Sequence, residues 1–192
     1  MFSLKSTYKR YTVKIPQNVL VIYSESEGHI LLKNKCNKVI FIRILFRLLW
    51  LNHNTFQVIS EVRGNNTISQ KEIKKHFNTQ VSLLKQSLQD ISSQQYKKII
   101  FVGLGYKFFL IKNNFRLLQL KLGYSHDIFV KVPSSIDLKW YNQNSIYVSG
   151  TSTTTLSSFS NKIKAYRIPD TYLGKGILFV NEKITLKKGK QA

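Results

Sequence analysis

The chain has 192 residues with thirty Lys and Arg against nine Asp and Glu, a formal charge of +21. An excess of that size implies a partner of opposite sign, with nucleic acid first among candidates. Because 43% of the residues are hydrophobic and 12% aromatic, the charge rides on a folded body and not on a disordered basic tail.

The first eleven residues form a basic N-terminal segment, with Lys5, Lys9 and Arg10 and no acid. They imitate a transit peptide, but strand-like residues from Tyr11 to Pro16 follow at once, so the expectation is a mature N-terminus that touches RNA. Strands follow at Ile30 to Leu32, Val39 to Phe46 and Phe56 to Glu61. The apolar run from Val39 to Leu51 carries Arg43 and Arg47 and falls short of the roughly 20 apolar residues of a membrane span. A longer buried strand is the expected form of the segment from Arg43 to Asn54, with packing against a neighbouring protein as the alternative.

Ser69-Gln70-Lys71-Glu72 is a capping box, and Ile73, Phe77, Val81, Leu84, Leu88 and Ile91 recur at helical intervals. Lys71, Lys74, Lys75 and Lys85 mark the solvated face of that helix, with an RNA-facing role as the second reading. Lys98 to Val102 reads as a strand, then Gly103-Leu104-Gly105-Tyr106 as a turn, then Lys107 to Ile111 as another strand. A dinucleotide fingerprint is excluded, because Phe108 holds the third glycine position and no helix follows. Asn113-Asn114 makes a hairpin turn before the strand Phe115 to Leu122. Ser145 to Ser149 alternates as a strand, Thr151 to Thr155 forms a polar loop, and Leu156, Phe159, Ile163 and Tyr166 take helical spacing.

The chain also repeats itself. Val13-Lys14-Ile15-Pro16 through Tyr23 and Val130-Lys131-Val132-Pro133 through Trp140 both spell V-K-[IV]-P-x-x-[VI]-x-[VL]-x-[YW]. In each, proline ends one strand and alternating apolar residues begin the next. The predicted fold is α+β, two tandem repeats, each an antiparallel sheet with one helix on a face, plus a basic tail. The expected divisions are 1–11, 12–95, 96–183 with the main RNA-binding role, and 184–192.

The C-terminal region concentrates the chemistry. In Tyr166-Arg167-Ile168-Pro169-Asp170-Thr171-Tyr172-Leu173-Gly174-Lys175-Gly176-Ile177 a lysine stands between two glycines after a proline-stiffened turn. Glycine lets main chain approach a polyanion closely, and Lys175 places a compact charge at the point of approach. Lys183, Lys187, Lys188 and Lys190 follow, with Glu182 the only acid, as a cationic arm.

Other chemistry lacks its residues. Cys36 and four scattered histidines supply neither a disulfide framework nor a metal cluster at ligand spacing, so no metal or cofactor is expected. Ser125, His126 and Asp127 are adjacent in sequence, an arrangement that seldom converges as a catalytic triad. No Ser or Thr follows Lys175, which rules out a Walker loop. A membrane-surface role would need cations and apolar residues segregated over a long helix whose apolar side is free.

Gly103-Leu104-Gly105-Tyr106, Leu120 through His126, and Ala165 through Ile177 resemble, in order and spacing, the second half of the universal large-subunit ribosomal protein L-six family. The closing signature is the specific one: Arg167, Pro169, Tyr172, Gly174, Lys175, Gly176 and Ile177 keep it, while Leu173 and Leu178 stand where the family has lysine and often arginine. The resemblance implies a non-enzymatic constituent of the large ribosomal subunit, not a homo-oligomer and not bound to membrane. It would bind large-subunit rRNA near the stalk base and the sarcin-ricin loop, with neighbouring large-subunit proteins and translation factors close by. Arg167, Gly174, Lys175, Gly176 and the tail lysines carry over as RNA-binding residues, and Tyr172 either stacks on a base or sugar or braces the turn. Tyr106, Ser125 and His126 carry over either as contacts or as turn residues supporting the sheet. Richness in Lys, Asn, Ile and Phe, residues of AT-rich codons, points to a mitochondrial ribosome, with a plastid or bacterial ribosome as the alternative.

Overall fold

A computed structural model describes residues 9–35, 38–62, 70–112 and 116–189. The chain divides into two compact units, Met1–Ser93 and Gln94–Ala192. Each has its own apolar core, and together they form the α+β, twice-built architecture that the sequence pattern predicts.

The first unit begins with β1 (Arg10–Lys14), β2 (Val19–Ser24), β3 (His29–Asn34), β4 (Val39–Arg43), β5 (Phe46–Asn52) and β6 (Thr55–Val62), followed by α1 (Gln70–Ser92). These strands divide into two antiparallel sheets, in the orders β1-β6-β5 and β2-β3-β4. The helical periodicity is realised: Phe77, Val81, Leu84, Leu88 and Ile91 are buried, and Ile73 packs at the edge of the same core. Lys71, Lys74, Lys75 and Lys85 are exposed, with the Lys85 ammonium 4.3 Å from the centre of the Tyr11 ring. The last turn of α1 is closed by Asn34 Nδ2 donating to Ile91 O (2.7 Å) and Lys38 Nζ to Asp90 O (2.6 Å). Both satisfy carbonyls that a helix end leaves without intrahelical donors. Ser69 of the capping box, Cys36 and the Asn113-Asn114 turn lie outside the described residues.

Two expectations for this unit are corrected. The predicted strand from Val39 to Phe46 is broken at Ile44-Leu45, where Ile44 N donates to Gly28 O at 2.7 Å and the chain steps from one sheet into the other. The following segment is also not a buried strand. Only Phe46 and Leu48 of β5 are buried, whereas Leu49, Trp50 and Leu51 are 42%, 47% and 50% exposed. A strand covered on one face buries every second residue, and the run of apolar residues conceals that alternation.

The second unit contains β7 (Gln95–Val102), β8 (Lys107–Lys112), β9 (Arg116–Lys121), β10 (Ile128–Lys131), β11 (Ile136–Asn142), β12 (Ser145–Gly150), α2 (Thr153–Ala165) and β13 (Gly176–Phe179). Its sheets run β10-β9-β8 and β11-β12-β7-β13, with every pairing antiparallel. Leu156, Phe159 and Ile163 of α2 enter a core with Ile99, Phe101, Ile146, Val148 and Ile177. The polar loop expected from Thr151 to Thr155 is replaced from Thr153 onward by the start of this helix. Ser152 takes the N-cap position and its carbonyl accepts from Leu156 N at 3.0 Å. Packing of Leu156 and Phe159 overrides the modest helix propensity of three threonines.

The repeated motif folds the same way twice. Val13 and Val130 are buried, and Val19 N and Ile136 N each donate to the proline carbonyl three residues back, both at 3.1 Å. Ile15 N and Val132 N donate to Asn54 O and Arg116 O, each at 2.8 Å, tying the end of the motif strand to its neighbour. In both units the motif strand edges a three-stranded sheet, but its two partners follow it in the first unit and precede it in the second.

Candidate nucleic-acid interface

Between α2 and β13 the chain makes a closed loop. Ile177 N donates to Arg167 O (3.0 Å), Asp170 N to Lys175 O (3.0 Å) and Gly174 N to Asp170 O (2.9 Å). The Asp170 carboxylate turns inward on the same loop, accepting from Tyr172 N at 3.1 Å and Leu173 N at 3.4 Å, an Asx turn. Gly174 has φ +67°, a left-handed position that glycine enters without penalty. Gly176, at φ +153°, is buried against Pro169, so its bare α-carbon serves closure of the loop and not an incoming phosphate. The charge between the glycines is thus presented by a loop closed from behind, with Gly176 on the Pro169 side. Lys175 is exposed, as are Tyr172 (57%) and Leu173 (67%).

The described part of the tail lies on this loop. Lys187 N donates to Thr171 O at 2.9 Å, and Leu186 lies 3.5 Å from where a Cβ on Gly174 would stand. Lys183, Lys187 and Lys188 are exposed, and Lys190 lies outside the described residues. Glu182 is ion-paired with Lys164 and accepts from Phe179 N at 3.4 Å. The Lys164 hydrogen bond holds the Glu182 carboxyl below the usual carboxylate range. Asp170 is turned toward backbone amides and Glu182 toward Lys164, so neither acid is ion-paired with Lys175 or the described tail lysines.

Arg167 belongs to a second cluster, in which all three motifs meet. The Tyr106 ring is buried between two glycines: a Cβ on Gly103 would lie 3.1 Å from it, and one on Gly123 3.3 Å. Tyr124 donates its hydroxyl to Tyr166 O at 2.9 Å and places its ring 5.0 Å from Arg167 Cζ. Hydrogen bonding to Tyr124 first, and to Tyr106 second, raises the Arg167 pKa above its already high ordinary value, with the Tyr124 ring beside the guanidinium. His126 stacks on Tyr124 at 6.2 Å, and both His126 and Ser125 are exposed. Tyr106 is thus a support beneath Arg167. Tyr124, which spacing alone did not single out, is the residue that orients it; its place directly after Gly123 and beside two candidate residues is the available signal.

Asp127 accepts from Gln119 Nε2 (2.7 Å) and lies 3.9 Å from Lys121, so it is engaged away from any Ser-His-Asp relay. Among the described residues, no three His, Cys, Asp or Glu side chains are grouped to hold a metal, and no helix is long and apolar enough to cross a membrane.

The structure defines a two-unit α+β protein with a braced, exposed cationic loop. Comparison supplies the family. No established family model matches the chain. It is 33% identical over 133 residues to large ribosomal subunit protein uL6 of Mycoplasmoides gallisepticum, spanning 69% of this chain and 71% of that protein. Similarity to the uL6 of Mycoplasma genitalium is 33% over 132 residues, 69% of each chain, and to that of Thermotoga maritima 29% over 144 residues, 75% of this chain and 73% of that one. The chain belongs to the large ribosomal subunit protein uL6 family, whose members are structural and not enzymatic.

Proposed function

We propose that this chain is a structural constituent of the large ribosomal subunit and binds large-subunit rRNA near the stalk base and the sarcin-ricin loop, among neighbouring large-subunit proteins and close to the translation-factor site. Family membership supports the subunit role. The observation that carries the RNA reading is the 167–177 loop, where Lys175 is exposed on a backbone closed by three hydrogen bonds and both nearby acids are engaged elsewhere.

A stiff loop needs little ordering on binding, so each cation contacts phosphate at low entropic cost. Lys175, Lys183, Lys187 and Lys188 release counterions from phosphate, and Arg167 offers a fork of donors suited to a phosphate's geometry. Tyr172 is exposed, which suits stacking on a base or ribose. No recognition helix is needed, because folded RNA presents shape, 2′-hydroxyls and backbone in a shallow groove. Leu173 and Leu178 replace two cations of the family pattern; Leu173 is exposed and Leu178 is half-buried in β13, so the contact set is shifted toward the tail.

The residue bias toward AT-rich codons supports a mitochondrial ribosome as the site of action; the relatives are bacterial, and a bacterial ribosome is the competing location. The genetic code of the gene decides between them. The RNA reading is tested by Lys175→Glu: occupancy in purified large subunits is expected to fall while the melting temperature of the free protein is unchanged. Normal occupancy removes Lys175 from the interface.

A further inference from the structure

The strands of the β11-β12-β7-β13 sheet alternate, sending Ile99, Phe101, Ile146 and Val148 into the core beneath α2. The opposite face carries side chains that the Lys175 loop does not use. Lys98, Tyr147 and Lys139 are cross-strand neighbours over three strands, and Tyr96 and Tyr141 flank them. Tyr96 is 73% and Tyr141 60% exposed. The rings run together, with centroids 6.4 Å apart for Tyr96 and Tyr147 and 5.6 Å for Tyr141 and Tyr147. The Lys98 ammonium stands 4.5 Å from the Tyr141 centroid and 5.3 Å from that of Tyr147. Gln94, Tyr96, Lys139, Tyr147 and Ser149 bound a cavity of about 200 Å³ beside them.

We propose that this face binds a single-stranded segment of RNA, an unpaired base stacking on the exposed Tyr96 ring with its edge toward Tyr147, which is tilted 60° from Tyr96, and its phosphates meeting Lys98 and Lys139. The carboxylate on this face, Asp137, is held by Arg116 Nη2 at 2.8 Å, while Arg116 Nη1 donates to Ser134 O, so the face is positive. Charge complementarity alone fits an acidic peptide equally well. The rings, two exposed and Tyr147 half-buried, decide for RNA: every base has a π-face to lay on them, whereas a run of carboxylates leaves them without a function. The platform lies on strands, and its residues are distinct from those of the loop, so it is a second contact with the same class of partner.

The test is fluorescence anisotropy on the full chain with a labelled short uridine-rich single strand, the same strand annealed to its complement, and polyglutamate as competitor. Tyr96→Ala with Tyr141→Ala should weaken single-strand binding on the order of tenfold and leave duplex binding nearly unchanged, while Tyr96→Phe with Tyr141→Phe retains affinity. Equal affinity in the alanine variant, equal loss on the duplex, or displacement by polyglutamate as effective as by RNA overturns the proposal. Ultraviolet crosslinking of the unmutated protein guards against misfolding of a variant: crosslinks in the peptides holding Tyr96, Tyr141 or Tyr147 support the platform, and crosslinks confined to 167–188 defeat it. A failed Lys175→Glu test leaves these readouts unaffected, so the two readings fall separately.

Discussion

Gly176 and Pro169 are packed backbone to backbone: a Cβ on Gly176 would stand 2.5 Å from Pro169 Cα and 2.8 Å from Pro169 N. No rotamer change relieves a contact between main-chain atoms. Gly176→Ala therefore has to open the loop as well as adopt an unfavourable φ, and is expected to cost roughly 2 to 4 kcal/mol. Gly105→Ala is the control, since it shares a positive φ (+76°) but has open space around its Cβ, and should cost about 1 to 2 kcal/mol. Chemical denaturation of the two variants checks the order, and equal costs would remove the steric argument.

Tyr124 and Arg167 give a test of orientation as distinct from charge. Tyr124→Phe keeps the ring beside the guanidinium and loses the hydroxyl, with its bonds to Tyr166 O and to Arg167, expected at about 1 kcal/mol of stability. Tyr124→Leu removes the ring as well, leaving Arg167 charged with Tyr106 alone beside it. Affinity for an rRNA fragment should then fall for the leucine variant well beyond the phenylalanine variant, while both retain similar circular dichroism. Equal affinities would show that the guanidinium needs no ring to hold it.

Much of this was legible in the sequence because local pattern and tertiary outcome coincide. The three- and four-residue spacing from Ile73 to Ile91 gives α1 its inward face, and the Val-Lys-x-Pro repeat gives both units the same turn and the same cross-strand bond. The break at Ile44-Leu45 was not legible, because its cause is a hydrogen bond to Gly28, sixteen residues earlier, inside a run that is apolar on both sides of Arg43. Likewise, Thr153 to Thr155 read as loop because the helix they begin is stabilised by Leu156 and Phe159 reaching strands far away in the chain. In the interface the Gly-Lys-Gly loop was visible as a string, but the buried role of Gly176 and the nesting of Tyr106 between Gly103 and Gly123 are products of closure in three dimensions.

Separate cores predict separable stability. Phe77 is 1% exposed and meets Phe46 edge-on at 5.2 Å, within the core of the first unit only. Phe77→Ala should destabilise that unit by roughly 3 to 5 kcal/mol, the range for large aromatic truncations. Hydrogen exchange should accelerate in β3, β6 and α1, with β7, β12 and α2 nearly unaffected. Uniform acceleration across both units would mean that they unfold as one.

The Glu182 and Lys164 pair makes stability pH-dependent in a defined direction. Its carboxyl is held below the value of about 4.5 that it has when unfolded, chiefly by the Lys164 hydrogen bond. A group whose folded pKa is depressed contributes stability above its unfolded pKa and loses that contribution as pH falls through the folded one. Glu182→Gln should therefore melt below the unmutated protein at neutral pH, and the difference should shrink as pH drops below the ordinary carboxylate range, where both side chains are uncharged. Because Glu182 also accepts from Phe179 N at the end of β13, the neutral-pH variant should loosen the tail and lower RNA affinity despite removing a negative charge. A rise in affinity at neutral pH would show that Glu182 acts by repelling phosphate and not by anchoring the arm.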